Sequence, residues 1–437
     1  MKNINIVGAG LAGCEAALNF ADAGWQVRLF EMKPVKYSEA HSLPSFAELV
    51  CSNSLKSQLP TTGSGLLKAE MKLLGVKLLA LAEQASVPAG NALAVDRDKF
   101  SELVTATIKK HENIRIVNQE YDKLDDSLTI IATGPLSSDK VIDALTPHLP
   151  ESSLYFFDAI APIVEKDSIN FERAYYKSRY DKGPADYINC PFTKEEYYTF
   201  IDALNDAEKH EAKEFENKYF NDVKFKFYEN CTPIEELARR GKDTLRFGVL
   251  RPVGLEDPTT DRRPFAALQL RIENSSANAY NLVGCQTMLK YGEQKRVLRL
   301  IPGLENANFL RYGSIHRNTY LNAPQVLNHK LSLKTKDNIF IAGQLSGVEG
   351  YVESIFIGLL VFHILNNDLK ELPKFTVAGQ LWNYLKTEQK NFQPMNANFG
   401  LLPAIDIRDK KKKKVMHAER SLASLEEFIQ NTHLNIS

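Results

Sequence analysis

Cys231 opens the run Cys231-Thr232-Pro233-Ile234-Glu235-Glu236-Leu237-Ala238-Arg239-Arg240-Gly241. Thr232 suits an N-cap, Pro233 the first helical position and Glu235 the third, which would complete a capping box; Gly241 can end the helix. A cysteine just ahead of such a helix would meet the positive end of its dipole, which stabilises a thiolate, and a thiolate attacks carbon. A small buried cysteine at a domain junction fits the same residues equally well. Cys51 lies in Glu48-Leu49-Val50-Cys51-Ser52-Asn53-Ser54, where polar capping residues follow at once, so a turn or helix start is expected there too. On local grounds, Ser52 and Asn53 merely capping a short helix is as good a reading. Cys14 is expected to pack inside a helix, and Cys190 and Cys285 lack activating neighbours in sequence. His41 suits a base and a surface position equally.

A second kind of chemistry is written in the glycines. Ile4 to Val7 reads as a buried strand, Gly8-Ala9-Gly10-Leu11-Ala12-Gly13 follows without a gap, and helical spacing continues to Ala23. Gly8 permits the tight turn, Gly10 lets backbone approach a pyrophosphate, and Gly13 lets helix and strand pack closely. The helix N-terminus then favours the negative charge. A second strand, Val27 to Phe30, ends on Glu31, placed to accept hydrogen bonds from an adenosine ribose. The first domain therefore binds a dinucleotide.

Residues 114–117 and 128–134 read as further strands, the latter closing on Ala132-Thr133-Gly134. Asn338 to Gln344 repeats that pattern, with Gly343 and Gln344 at its end, then Gly347, Gly350, Tyr351 and a helix-like run. Strands ending this way after an N-terminal glycine fingerprint resemble the plan of FAD-binding flavoproteins, whose late glycine turn meets pyrophosphate and flavin. Between about Leu136 and Ala323 the βαβ rhythm gives way to short mixed segments rich in Tyr, Phe, Lys and Glu. The expected fold is α/β, a Rossmann-like, discontinuous FAD-binding domain with an inserted α+β domain. Residues 1–135 and 324–437 would form the first, ending in a C-terminal basic helix, and residues 136–323 the insert.

At 437 residues the chain is too long for one ordinary core. A hydrophobic share of 44%, a charged share of 25% and zero net charge describe a soluble protein and argue against a general polyanion binder. Five scattered cysteines fit a reducing compartment, with no disulfide framework and no metal site. The first strand leaves no room for a signal peptide, and the apolar run Ile355 to Leu365 is too short to span a bilayer. A cytoplasmic location is expected. Lys410 to Lys414 reads first as a solvated helix face and second as an RNA contact.

Several blocks carry a more specific resemblance: Phe46 to Ser54, Val87-Pro88-Ala89-Gly90, Ala161-Pro162-Ile163-Val164, Tyr187 to Pro191, Gly292 to Arg296, Arg299 to Ala307, Gly347 to Ser354 and Gln393 to Gly400. With the glycine turn, they make the chain similar over nearly its whole length to the folate- and FAD-dependent tRNA (uracil-5-)-methyltransferases. The resemblance implies methylation of a T-loop uridine in tRNA, with methylenetetrahydrofolate as carbon donor and FAD reduced by NAD(P)H. It makes Cys231 the uracil nucleophile and Cys51 a second thiol near the flavin. Lys295, Arg296, Arg311 and Arg317 become candidates for phosphate or folate carboxylates. Cys285, Met288 and Tyr291 depart from the family's usual Phe, His and Trp, so a sibling that methylates large-subunit ribosomal RNA is the alternative. A small-molecule flavin oxidoreductase and a non-modifying RNA-binding flavoprotein are the rival classes.

Overall fold

The computed structural model describes the chain except for residues 1, 39, 151–153, 160, 210–231, 314, 390–391, 433, 435 and 437. Its first sheet has the strand order Ser332–Leu333, Lys336–Ile341, Thr129–Ile131, Asn3–Val7 (β1), Gln26–Glu31 (β2) and Ile114–Asn118. Every pairing is parallel except that of Ser332–Leu333 at the edge. Parallel strands need crossovers that cover the sheet faces. The helix Leu11–Asp22 (α1) supplies one between β1 and β2 and is buried from Leu11 to Ala21.

The α1 helix is held from two sides at distances only glycine allows. A Cβ on Gly13 would lie 1.9 Å from the Gly8 carbonyl oxygen, and one on Gly358 would lie 2.3 Å from that of Ala12. Gly358 belongs to the helix Tyr351–Asn366, buried from Val352 through Ile364. The long apolar run in the sequence is thus a core helix, apolar all round because protein surrounds it.

The second sheet is antiparallel, ordered Tyr175–Tyr176, Tyr187–Phe192, Ala266–Ile272, Ala279–Leu282, Ile163–Glu165 and Phe309–Arg311. The strand Ala266–Ile272 alternates strictly. Leu268 and Leu270 enter an apolar core with Ile188, Cys190 and Leu282, while Gln269 and Arg271 point the other way. The helix Lys194–Asp206, opened by a Thr193–Glu196 capping box, buries Tyr197, Phe200, Ile201 and Leu204 in that core. Val87, Ala89 and Ala94 also join it, whereas Val141, Leu145, Tyr320 and Leu321 join the core of the parallel sheet.

Two local expectations are corrected. The helix beyond Cys231 spans Ile234–Arg239 with Pro233 at its N-cap, and no side chain caps it. Glu235 turns away from its own helix to accept hydrogen bonds from the Met288 N–H at 2.8 Å and the Thr287 hydroxyl at 3.0 Å. Cys231 itself lies outside the described residues. After Cys51 the chain enters a strand, Ser54–Ser57, rather than a helix, because Asn53 is buried and donates to the carbonyls of Val95 and Ile272. In the helix Lys410–Thr432 the lysine run is largely exposed.

Glu70, fully buried, ties the C-terminal helices to the parallel-sheet domain. It accepts from the N–H groups of Val377 at 2.9 Å and Ala378 at 2.7 Å, the start of the helix Val377–Lys386, and from the Ser421 hydroxyl at 2.5 Å. Burial pushes its carboxyl up to about 7. The folded protein therefore holds this proton more tightly than the unfolded chain does. The associated stability is fully present below the unfolded value of 4.5 and is lost as pH rises through about 7. Urea titrations should show the unfolding free-energy difference between wild type and Glu70→Gln shrinking from about pH 5 to about pH 8 by on the order of 2 kcal/mol. A pH-independent difference would mean that Glu70 titrates normally.

Candidate functional site

One cavity of about 640 Å³ runs between the glycine turn and the Cys51 segment. It brings together Gly8 through Ala12, Glu31, Cys51, Gly343, Gln344, Gly350 and Tyr351. Gly8 has φ +98° and would push a Cβ to 2.7 Å from the Ala132 carbonyl. Gly10 is different. A Cβ there would find nothing nearer than 4.0 Å, so the protein leaves the space open. The N-terminus of α1 has no side-chain cap, which leaves its dipole aimed at the cavity. Glu31 accepts from the Ala9 N–H at 2.8 Å and the Lys33 N–H at 2.9 Å, fixing its carboxylate at the cavity wall. Gly13 and Gly347 do not line the cavity. Gly13 serves the contact with Gly8, and a Cβ on Gly347, at φ +96°, would strike the Phe392 ring.

At the other end the backbone of Cys51 is held by a residue three hundred positions away. The Tyr351 hydroxyl accepts from the N–H groups of Cys51 at 2.8 Å and Ser52 at 3.2 Å. Burial pushes the Tyr351 phenol up, so it stays protonated. Arg271 donates to Ser52 Oγ at 2.9 Å and Asn53 Oδ1 at 3.0 Å. Arg97 donates to the Leu49 carbonyl at 2.8 Å and forms an ion pair with buried Glu273. Cys51 is half-buried at this site, whereas Cys14, Cys190 and Cys285 are buried and their thiols pushed up, which withdraws them from nucleophilic chemistry. His41 lines the cavity half-buried, with Nδ1 2.6 Å from Ser38 Oγ.

Among the basic candidates, Lys295 and Arg296 are exposed and Arg296 pairs with Glu293. Such surface pairs contribute little. Arg311 is half-buried beside Cys51 and Tyr351, and the Arg317 side chain lies outside the described residues. Arg271, Arg97 and Lys33 escaped the sequence reading. For Arg271 the signal was present, since polar Gln269 and Arg271 alternate with apolar residues in Ala266–Ile272 and mark a strand face that meets something other than a core.

Residues 3–373 match the family model described as glucose inhibited division protein A. The chain belongs to that family. Within it, the chain falls among the methylenetetrahydrofolate–tRNA-(uracil-5-)-methyltransferases. A protein of that name, TrmFO, from Koribacter versatilis (strain Ellin345) is 51% identical over 445 residues, covering 99% of each chain. Another from Halalkalibacterium halodurans is 49% identical, covering 98% of this chain and 99% of its own. Among solved structures, Aquifex aeolicus GidA in its form I crystal superposes with a TM-score of 0.69 at 15% identity, over 99% of this chain and 76% of that one. That likeness establishes the fold.

The residues fit FAD, the cofactor of this family: an uncapped helix N-terminus, the open space at Gly10 and a fixed carboxylate at the end of β2 face one cavity. Among the described residues there is no cluster of side chains that would hold a metal ion, and no helix long and apolar enough to cross a membrane. The two glycines separate binding from folding. Gly10→Val should fold with the unfolding temperature of the flavin-free wild type and purify without flavin absorbance. Gly13→Ala should lose roughly 3 kcal/mol or more of stability, because backbone must move. A flavin-replete Gly10→Val protein would remove the turn from cofactor binding.

Proposed function

We propose that this protein methylates carbon 5 of a uridine in the T-loop of tRNA, taking the carbon from methylenetetrahydrofolate. The observation that carries this reading is Cys51, an accessible thiol whose backbone is clamped by Tyr351 at the edge of the dinucleotide cavity. Residues 136–323 are proposed as the domain facing substrate and RNA, in a cytoplasmic enzyme. The relatives' names specify tRNA, and nothing in the comparisons supports the ribosomal alternative.

Uracil carbon 5 becomes nucleophilic only after a thiolate adds at carbon 6. We assign that addition to Cys231 and assign Cys51 to the thiol chemistry beside the flavin. Reduced FAD, when bound and recharged by NAD(P)H, supplies the hydride that completes the methyl group. The protein's share is positional. Tyr351 and Arg271 fix the Cys51 loop, Gly8 through Ala12 and Glu31 orient the dinucleotide, and Gly343 with Gly350 brings the later turn against the same cavity. The uridine must leave its stack to reach this depth.

The test is mass spectrometry of tRNA and ribosomal RNA after incubation with isotope-labelled methylenetetrahydrofolate and NADPH. Label is expected in T-loop 5-methyluridine. Cys51→Ala and Cys231→Ala should each lower methylation by roughly 10³-fold or more while keeping the flavin spectrum. No label in any RNA would return the function to small-molecule flavin oxidation.

A further inference from the structure

On the antiparallel sheet, the row of side chains that contains Arg271 continues through residues with no task so far. Cross-strand register pairs Tyr187 with Arg271, Arg271 with Asn281, Asn281 with Ile163 and Ile163 with Arg311. Directly paired residues share a sheet face. This face is opposite to the one that carries Leu270, Tyr280 and Val164 into the apolar core. Because Arg271 reaches Ser52 and Asn53, the row looks onto the Cys51 loop.

Arg311 joins the row only through an irregularity. Phe309 pairs with Val164 and Arg311 with Ile163, so two steps on one strand match one step on the other. Leu310, 52% exposed, is the extra residue. Residues two apart on a regular strand share a face, and Arg311 would then follow Phe309 toward the apolar core. The bulge re-aims it toward Cys51 and Tyr351, which with Arg97 and Glu273 are its charged and titratable neighbours. Asn281 is 3% exposed, and its Nδ2 has no hydrogen-bond partner among the described residues. Arg97, Arg271 and Arg311 also outnumber Glu273, the one carboxylate among these neighbours. Buried donors without acceptors and buried positive charge in excess both call for an electron-rich oxygen.

We propose that Asn281 and Arg311 bind the 4-oxygen of the target uracil and stabilise the enolate that develops on it, with Ile163 between them as the apolar floor under the ring. The proposal rests on uracil methylation as the reaction. When a cysteine thiolate adds to carbon 6, its electron pair forms the sulfur–carbon bond. The carbon 5–carbon 6 π pair shifts toward carbon 4, and the carbonyl π pair comes to rest on the 4-oxygen. After carbon 5 has attacked the electrophilic methylene, loss of its proton and departure of the thiolate restore the double bond. Donors fixed where that negative charge appears act on the transition state. Two strand spacings, roughly 10 Å, separate the backbones of Asn281 and Arg311, so a short amide arm and a long guanidinium arm would converge on one carbonyl oxygen between them.

A cycle pairing the protein change with an atom change in the RNA tests this in the flavin-loaded enzyme. Arg311→Ala should slow single-turnover methylation roughly 100-fold, with tRNA affinity within about twofold and flavin absorbance retained; Arg311→Lys should recover part of the loss. Replacing the target uridine by 4-thiouridine should slow wild type roughly tenfold but Arg311→Ala hardly at all, since the partner of that atom is already gone. Asn281→Ala should show the same non-additivity. Additive losses, or a wild-type rate in Arg311→Ala, overturn the proposal. A wild-type enzyme that methylates no tRNA would instead sink the functional reading on which it rests.

Discussion

The site depends on how closely α1 is approached by its neighbours. Gly13 lets it lie against the Gly8 turn, and Gly358 lets the helix Tyr351–Asn366 lie against Ala12. Because close-packed interiors do not deform gradually, these contacts fix both helices as one body with the parallel sheet. The consequence reaches far from the glycines. With Gly358 seated on Ala12, the N-terminal end of the long helix lies beside that of α1, so Tyr351 opens onto the cavity that Gly10 lines. Its hydroxyl then holds Cys51 and Ser52. A thiol on an irregular segment is thus positioned by helix packing.

The junction with the antiparallel sheet works by other means. Arg271 to Ser52 and Asn53, Arg97 to Glu273, and Ser275 to Asp96 are polar contacts, several of them buried. Buried charge pairs recover little more than their own desolvation. Such contacts specify one arrangement rather than supply much stability, which comes from the two apolar cores on either side. Direction matters here because the strand face bearing Arg271 and Asn281 must meet the Cys51 loop, not solvent.

The parts of the fold legible in the sequence are those whose signals are local. β1, α1 and β2 and the strands at Thr129–Ile131 and Lys336–Ile341 all follow from periodicity and glycine spacing within a few positions. The failures share one cause. Glu235 has the right type and place for a capping box, but Thr287 and Met288, more than fifty residues away, recruit it. Asn53 has the type of a cap, but distant carbonyls of Val95 and Ile272 claim its amide and the chain extends. The orientation of Arg311 was least accessible, because it turns on one bulged residue whose exposure is known only once the strands are paired.

The two ends of the cavity also solve the problem of negative charge in opposite ways. At the glycine end, buried Lys33 lies 3.6 Å from Glu48 and next to the fixed carboxylate of Glu31, so side-chain charge offers an anion little net attraction. A pyrophosphate there must be held by backbone N–H groups and the α1 dipole, partial charges that need no buried counter-ion. Around Cys51, the guanidinium groups of Arg97, Arg271 and Arg311 neighbour one carboxylate, Glu273. Partial charges suffice for a ligand that is always anionic and stays bound. Full charges, concentrated where water is excluded, are worth most against a charge that exists only while a bond is forming. On the proposed assignment of Cys51, partial charges hold the cofactor and full charges serve the reaction, on the side where the antiparallel sheet meets the Cys51 loop.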